Sequence, residues 1–94
     1  MEDDEFEWGE DKAARNLRKH HIRFEDALPA FRDPFAIEFE DDRFDYGEPR
    51  YILIGMVEPD VLVVVHTERN DRIRIISARK AEPNERRWYY ESNT

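Results

Sequence analysis

The run Val61-Leu62-Val63-Val64-Val65 constrains this chain most. It is apolar throughout, mostly β-branched, and far shorter than the ~20 apolar residues a membrane helix needs. Such a run reads as a central strand covered on both faces. A strand of that kind needs partners on either side and packed layers above and below. Tyr51 to Val57 predicts one partner, joined through a tight turn at Glu58-Pro59-Asp60. Glu68 to Asp71 predicts the next turn. Beyond it, Arg72 to Arg79 alternates Ile73 and Ile75 against Arg72 and Arg74, the period-2 pattern of a half-buried strand. Upstream, Phe35, Ile37 and Phe39 alternate with Ala36, Glu38 and Glu40, and an acidic loop follows from Glu40 to Gly47.

The remaining segments are patterned for helices. Glu10 to His21 places Ala13, Leu17 and then His20 or His21 on one face, with acids at its start and bases at its end, which suits the helix dipole. Ile22 to Arg32 spaces Phe24, Ala27, Leu28 and Phe31 helically. Pro29 should kink or shorten this helix, and Asp33-Pro34 ends it. Pro83 suits a first helical turn, so Pro83 to Glu91 predicts a terminal helix with Trp88 as its anchor. Phe6-Glu7-Trp8 reads as a short edge strand broken at Gly9. The order implies an α+β domain in which N-terminal helices and a C-terminal helix pack on a curved antiparallel sheet of about four strands. At 94 residues a single domain is expected over 1–94, with a core about 6–91 and frayed ends at Met1 to Asp4 and Ser92 to Thr94.

Charged residues make up 40% of the chain, a level that can mark disorder, but 13% are aromatic and the apolar positions are periodic, so a folded chain is expected. The absence of cysteine removes disulfides and Cys-based zinc sites and fits a cytoplasmic protein. The acidic start at Glu2-Asp3-Asp4-Glu5 does not resemble a signal peptide, and no membrane association is expected. The net charge of −8 argues at first against a nucleic-acid binder. Its distribution weakens that inference. Lys12, Arg15, Arg18, Lys19 and Arg23 occupy a stretch with no acid. Arg69, Arg72, Arg74, Arg79, Lys80, Arg86 and Arg87 outnumber the acids around them. If the first helix and the last hairpin are neighbours, they form a basic face inside an acidic shell.

Three motifs carry a family resemblance. The first is Phe6-Glu7-Trp8 followed by Lys12, Asn16, Leu17, Lys19, His20 and Phe24-Glu25-Asp26-Ala27. The second is Asp45-Tyr46-Gly47-Glu48-Pro49-Arg50-Tyr51 with Ile54-Gly55. The third is Val63-Val64-Val65-His66-Thr67-Glu68-Arg69, then Arg72 through Ala81, then Glu85. In this order and spacing, covering about Phe6 to Tyr90, they resemble the BrnT family of ribonuclease toxins from type II toxin–antitoxin pairs. The chain departs from the family pattern at Gly9-Glu10, where an Asp usually follows the tryptophan. It departs again at His21, where Gly is usual, and at Glu82, where Ser or Thr often stands. The resemblance implies a RelE-like fold and RNA as substrate. It also implies a BrnA-like ribbon-helix-helix antitoxin as partner, with operator DNA engaged only through that antitoxin.

RNA cleavage without a metal needs a base for the ribose 2′-OH, cationic donors for the phosphoryl oxygens, and an acid for the departing 5′-oxygen. By match to the motifs, the candidates are Lys12, Lys19 and His20 on the first helix, Arg69 and Arg79 on the last hairpin, and Glu48. Arginine forks suit a phosphate, which assigns Arg69 and Arg79 there. His20, or a lysine whose pKa is lowered by neighbouring cations, is assigned to proton transfer, and Glu48 to orienting a cation or acting as a base. Arg79 falls where alternation points it to the isoleucine side of its strand, an unusual place for a cation. Arg72 and Arg74 read as a wetted strand face, and Trp8 and Trp88 as core anchors rather than base-stacking platforms. His20, His21 and His66 make no zinc site, since adjacent helical residues diverge by about 100°. No cofactor motif is present. Two function classes follow: a metal-independent endoribonuclease, or a non-catalytic domain of the same fold whose cationic groove binds RNA or an acidic partner.

Overall fold

A computed structural model describes residues 2–93. Strand β1 (Phe6–Glu7) leads into helix α1 (Glu10–His20) and a short helix α2 (Phe24–Ala27), which tightens into a 3₁₀ turn over Leu28–Arg32. Strands β2 (Ile37–Glu40), β3 (Tyr51–Val57), β4 (Asp60–Arg69) and β5 (Arg72–Lys80) follow, and helix α3 (Pro83–Glu91) closes the order. The sheet has five strands in the order β1-β5-β4-β3-β2. The four-stranded antiparallel expectation is corrected here: β1 joins β5 in parallel, pairing Phe6 with Ile73, so the sheet is mixed. The valine run lies in the middle strand, as its composition requires, with Val61 to Val64 buried.

Each face of the sheet carries its own apolar layer. One face holds Leu53, Leu62, Val64, Ile75 and Ala78 beneath Trp8, Ile22, Phe24 and Ala27. The other holds Ile54, Val61 and Val63 beneath Ala81 and Tyr89. Close approach on the helical face requires Gly55. A Cβ there would lie 2.8 Å from the Ala30 carbonyl oxygen and 3.2 Å from the Ala30 Cβ. The β4–β5 hairpin turns through Asn70 (φ 56°) and Asp71 (φ 63°). Two successive left-handed residues match the twist of a tight hairpin.

The second predicted helix is only one α turn followed by the 3₁₀ segment, because Pro29 cannot continue an α-helical ladder. The strand predicted from Phe35 starts at Ile37, and Phe35 (57% exposed) and Phe39 (42%) are not buried as their alternation predicts. Their strand is the sheet's edge and α3 covers it only in part. Trp88 is not the anchor of α3 either: it is 48% exposed, while Tyr89 is buried and donates from Oη to Asp33 Oδ2 at 2.6 Å. Burial, then that bond, lifts the Tyr89 phenol to about 12.

The terminal segments read as frayed are tied down among the described residues. Phe6 N donates to Asp3 Oδ1 (2.6 Å) and Arg72 Nε to Asp3 O (2.6 Å). Asn93 Nδ2 donates to Phe35 O (3.0 Å). Met1 and Thr94 lie outside the described residues.

A cationic cleft between the first helix and the last strand

β1 covers only the first part of β5, so from Ile75 onward β5 has no strand on that side. Helix α1 fills the gap with one side chain. Asn16, buried, accepts from Ala78 N through Oδ1 (3.1 Å) and donates through Nδ2 to Ala78 O (2.9 Å) and Ile22 O (3.0 Å). The amide thus copies the two bonds a neighbouring strand would make. It also fixes α1 so that Lys12, Arg15, Lys19 and His20 line a cleft of about 270 Å³, floored by Ile76 and Ser77.

At the floor of the cleft the register shifts between Val65 and His66, leaving Ile76 as an extra residue in β5. A one-residue bulge moves every later side chain to the opposite face. Ile75 pairs with His66 on the face packed by α1 and α2. Ser77 and Arg79 pair with Val65 and Val63 on the face packed by α3. This overturns the reading that Arg79 points to the isoleucine side.

On that face Glu85 of α3 meets Arg79 in a bidentate ion pair, with bonds of 2.7 Å and 2.8 Å. The pair holds the Arg79 pKa above its ordinary value and that of Glu85 below. Glu85 Oε1 also accepts from Glu82 N (2.8 Å) and so caps α3 where Ser or Thr is commoner. Of the five N–H donors of Arg79, two engage Glu85 and a third meets the Lys80 carbonyl at 3.3 Å, which leaves two. His20 closes α1 within electrostatic range of Arg79. Burial, then the charges of Lys19, Arg79 and His21, push the His20 pKa below its usual value. His21 takes the left-handed conformation (φ 60°) after the helix, the place where glycine usually stands.

Lys12, Lys19 and His20 thus share one cleft, and Arg79, on the α3 face, lies within electrostatic range of His20, whereas Arg69 and Glu48 stand elsewhere. Arg69 pairs with Arg72 at the hairpin tip, seven positions along β5 from Arg79, roughly 20 Å at ~3.3 Å per residue. There Arg69 Nη2 donates to Glu48 Oε1 at 2.9 Å. One phosphate cannot span Arg69 and Arg79, and Glu48 lies with Arg69 far from the cleft. Three residues near the site received no role from the sequence. Arg15 extends the Lys12–Lys19 stripe on α1 and was legible from helical spacing. Glu85, and Arg43 whose charge reaches Arg79, are brought in by the fold alone. Among the described residues, no group of three or more His, Cys, Asp or Glu side chains is placed to hold a metal ion.

Among the described residues, the one buried histidine lies apart. His66, on the opposite face, stacks edge-on against Phe31 (5.0 Å), with Nε2 2.8 Å from Glu38 Oε1. Burial lowers its pKa despite that carboxylate.

The fold and site define a small α+β domain with a cationic cleft at the open end of a strand. The comparison with protein families identifies its family. Residues 8–85 match the family described as ribonuclease toxin, BrnT, of type II toxin–antitoxin system, and the chain belongs to that family. A comparison with curated proteins gives no match.

Proposed function

We propose that this ribonuclease toxin is an endoribonuclease that cleaves RNA without a metal, by attack of a ribose 2′-OH on the adjacent phosphate, at the α1–β5 cleft. The observation that carries the reading is the convergence of Lys12, Arg15, Lys19 and His20 on one cleft beside the open part of β5, with the charge of Arg79 acting on His20, whose pKa is lowered. Neutral His20 accepts the 2′ proton. Arg79, oriented by Glu85, donates to the non-bridging oxygens as the 2′-oxygen bonds to phosphorus. A cleft lysine, Lys12 or Lys19, returns a proton to the 5′-oxygen as its bond to phosphorus breaks. The products are a 2′,3′-cyclic phosphate and a 5′-hydroxyl. Preorganised donors of this kind contribute about 10²–10³-fold each in other enzymes.

The antitoxin that family membership implies is, in this reading, a BrnA-like ribbon-helix-helix protein that reaches operator DNA on the toxin's behalf, in the cytoplasm. The RelE-like reading of the fold is supported by N-terminal helices on one face of an open sheet, a C-terminal helix on the other, and a cationic site at its last strand.

Purified protein incubated with RNA in EDTA should yield fragments ending in 2′,3′-cyclic phosphate. Arg79→Ala should lower the rate by about 100-fold or more, with an unchanged far-UV spectrum. Arg79→Lys, which keeps the charge but loses the fork, should fall between. RNA left intact in EDTA by wild-type protein, while the RNA still binds, would make the cleft a binding groove only.

A further inference from the structure

We infer that Trp88 and Phe39 form a stacking subsite for an RNA base next to the phosphate held at Arg79. The inference rests on the cleft reading above. Both aromatics are about half exposed, although both were positions expected to be buried. They line one open cavity of about 470 Å³, with Ile37 beneath them. Exposed large aromatics are not explained by folding, since burying them would stabilise the chain.

The place of these rings in the fold gives them an occupant. Trp88 lies three residues after Glu85 on α3, and such residues share one helix surface, with Cβ atoms about 5–6 Å apart. Glu85 is the carboxylate that grips Arg79. Helix α3 therefore runs from the candidate phosphate site to the aromatic pair. Just before it, Ala81 N donates to Val61 O of β4 (2.9 Å), and just past its end Asn93 is bonded to Phe35 O, two residues ahead of β2. On the facing side, the charge of Arg43, whose guanidinium is held by Asp41 at 2.8 Å and 2.9 Å, acts on Arg79 only at a distance. A single strand laid along α3 meets the Arg79 guanidinium first and flat aromatic surface next, the order of a phosphate and its attached base. Glu91, which lines the same cavity, would repel a phosphate at that point. The base is then the part of the nucleotide that fits there.

The probe is a short single-stranded 2′-O-methyl RNA, which binds but cannot be cleaved through its 2′-oxygen. Trp8 is buried, so a quench on binding reports Trp88. Wild-type fluorescence should fall saturably with RNA, and an oligonucleotide with one abasic position at the subsite should bind without the quench. Trp88→Phe should lose the quench yet keep its affinity within about threefold. Trp88→Leu should weaken binding about tenfold, the scale of one lost base stack. Equal affinity in wild type and Trp88→Leu overturns the subsite. So does a Trp88→Leu variant that binds RNA normally but no longer binds the antitoxin, which would give the rings to the protein partner. An Arg79→Ala variant that cleaves normally while the Trp88 results hold would instead overturn the cleft assignment and leave the stacking site standing.

Discussion

At His20 a single pKa decides how the site behaves with pH. Burial is the largest cause of its lowered value, and the charges of Lys19, Arg79 and His21 add to it. A lowered pKa keeps the ring neutral at neutral pH, the form that accepts a proton. The rate of RNA cleavage, as kcat/KM, should therefore be flat above about pH 6.5 and fall on acidification, with its midpoint below the usual histidine value of about 6.5. Lys19→Gln removes one of the opposing charges and should move that midpoint upward. A midpoint at or above about 6.5 in the wild type would remove His20 as the base. Part of this was readable from the sequence, because His20, Lys19 and Lys12 have the right chemistry at helical spacing. The Glu85 clamp was not, since it depends on a contact between β5 and α3. Nor was the separation of Arg69 from Arg79. Residue type gives both the same phosphate chemistry, and only strand register puts them at opposite ends of the hairpin.

Among the elements, the join between α1 and β5 is made by Asn16 rather than by apolar packing alone. Removing its amide leaves a buried N–H and two buried carbonyls without their partner, each costing about 1–3 kcal/mol less whatever water restores. Asn16→Ala should lower unfolding stability by about 2–4 kcal/mol in urea titration, with the slope unchanged. A loss under ~1 kcal/mol would mean that water replaces the amide. The strands themselves were legible because β3, β4 and β5 carry clean apolar patterns. The bulge at Ile76 was not, because one inserted residue breaks the alternation only at Ile75-Ile76, and adjacent isoleucines fit many registers. The edge strand misled for the opposite reason. Its alternation is as clean as that of an inner strand, and exposure depends on what lies over it.

Over the whole molecule, the net charge of −8 hides how few cations remain available to RNA. The basic face expected from the last hairpin shrinks once its partners are seen. Arg72 pairs with Glu2 and Arg74 with Glu7, each at 3.7 Å, and Arg69 with Glu48. Lys12, Arg15 and Lys19 of the α1–β5 cleft are then the cations placed together for a strand. With about two or three phosphates neutralised, the affinity for a short uncleavable RNA should fall with salt at a log–log slope near −2, following about −0.7 per phosphate for single strands. A slope steeper than about −5 would require a much broader basic surface.

The parallel pairing of β1 with β5 sets an order of events in the life of the chain. Arg72 donates to Asp3 across 69 positions, and Phe6 finds its partner only when Ile73 exists. During synthesis the first strand must wait for the last, so the sheet closes only once β5 has left the ribosome. The cleft is assembled from α1 and the far half of β5, and it is subject to the same delay. If the proposed site is the cleft, a nascent chain cannot cleave RNA there until β5 has been made and has met α1.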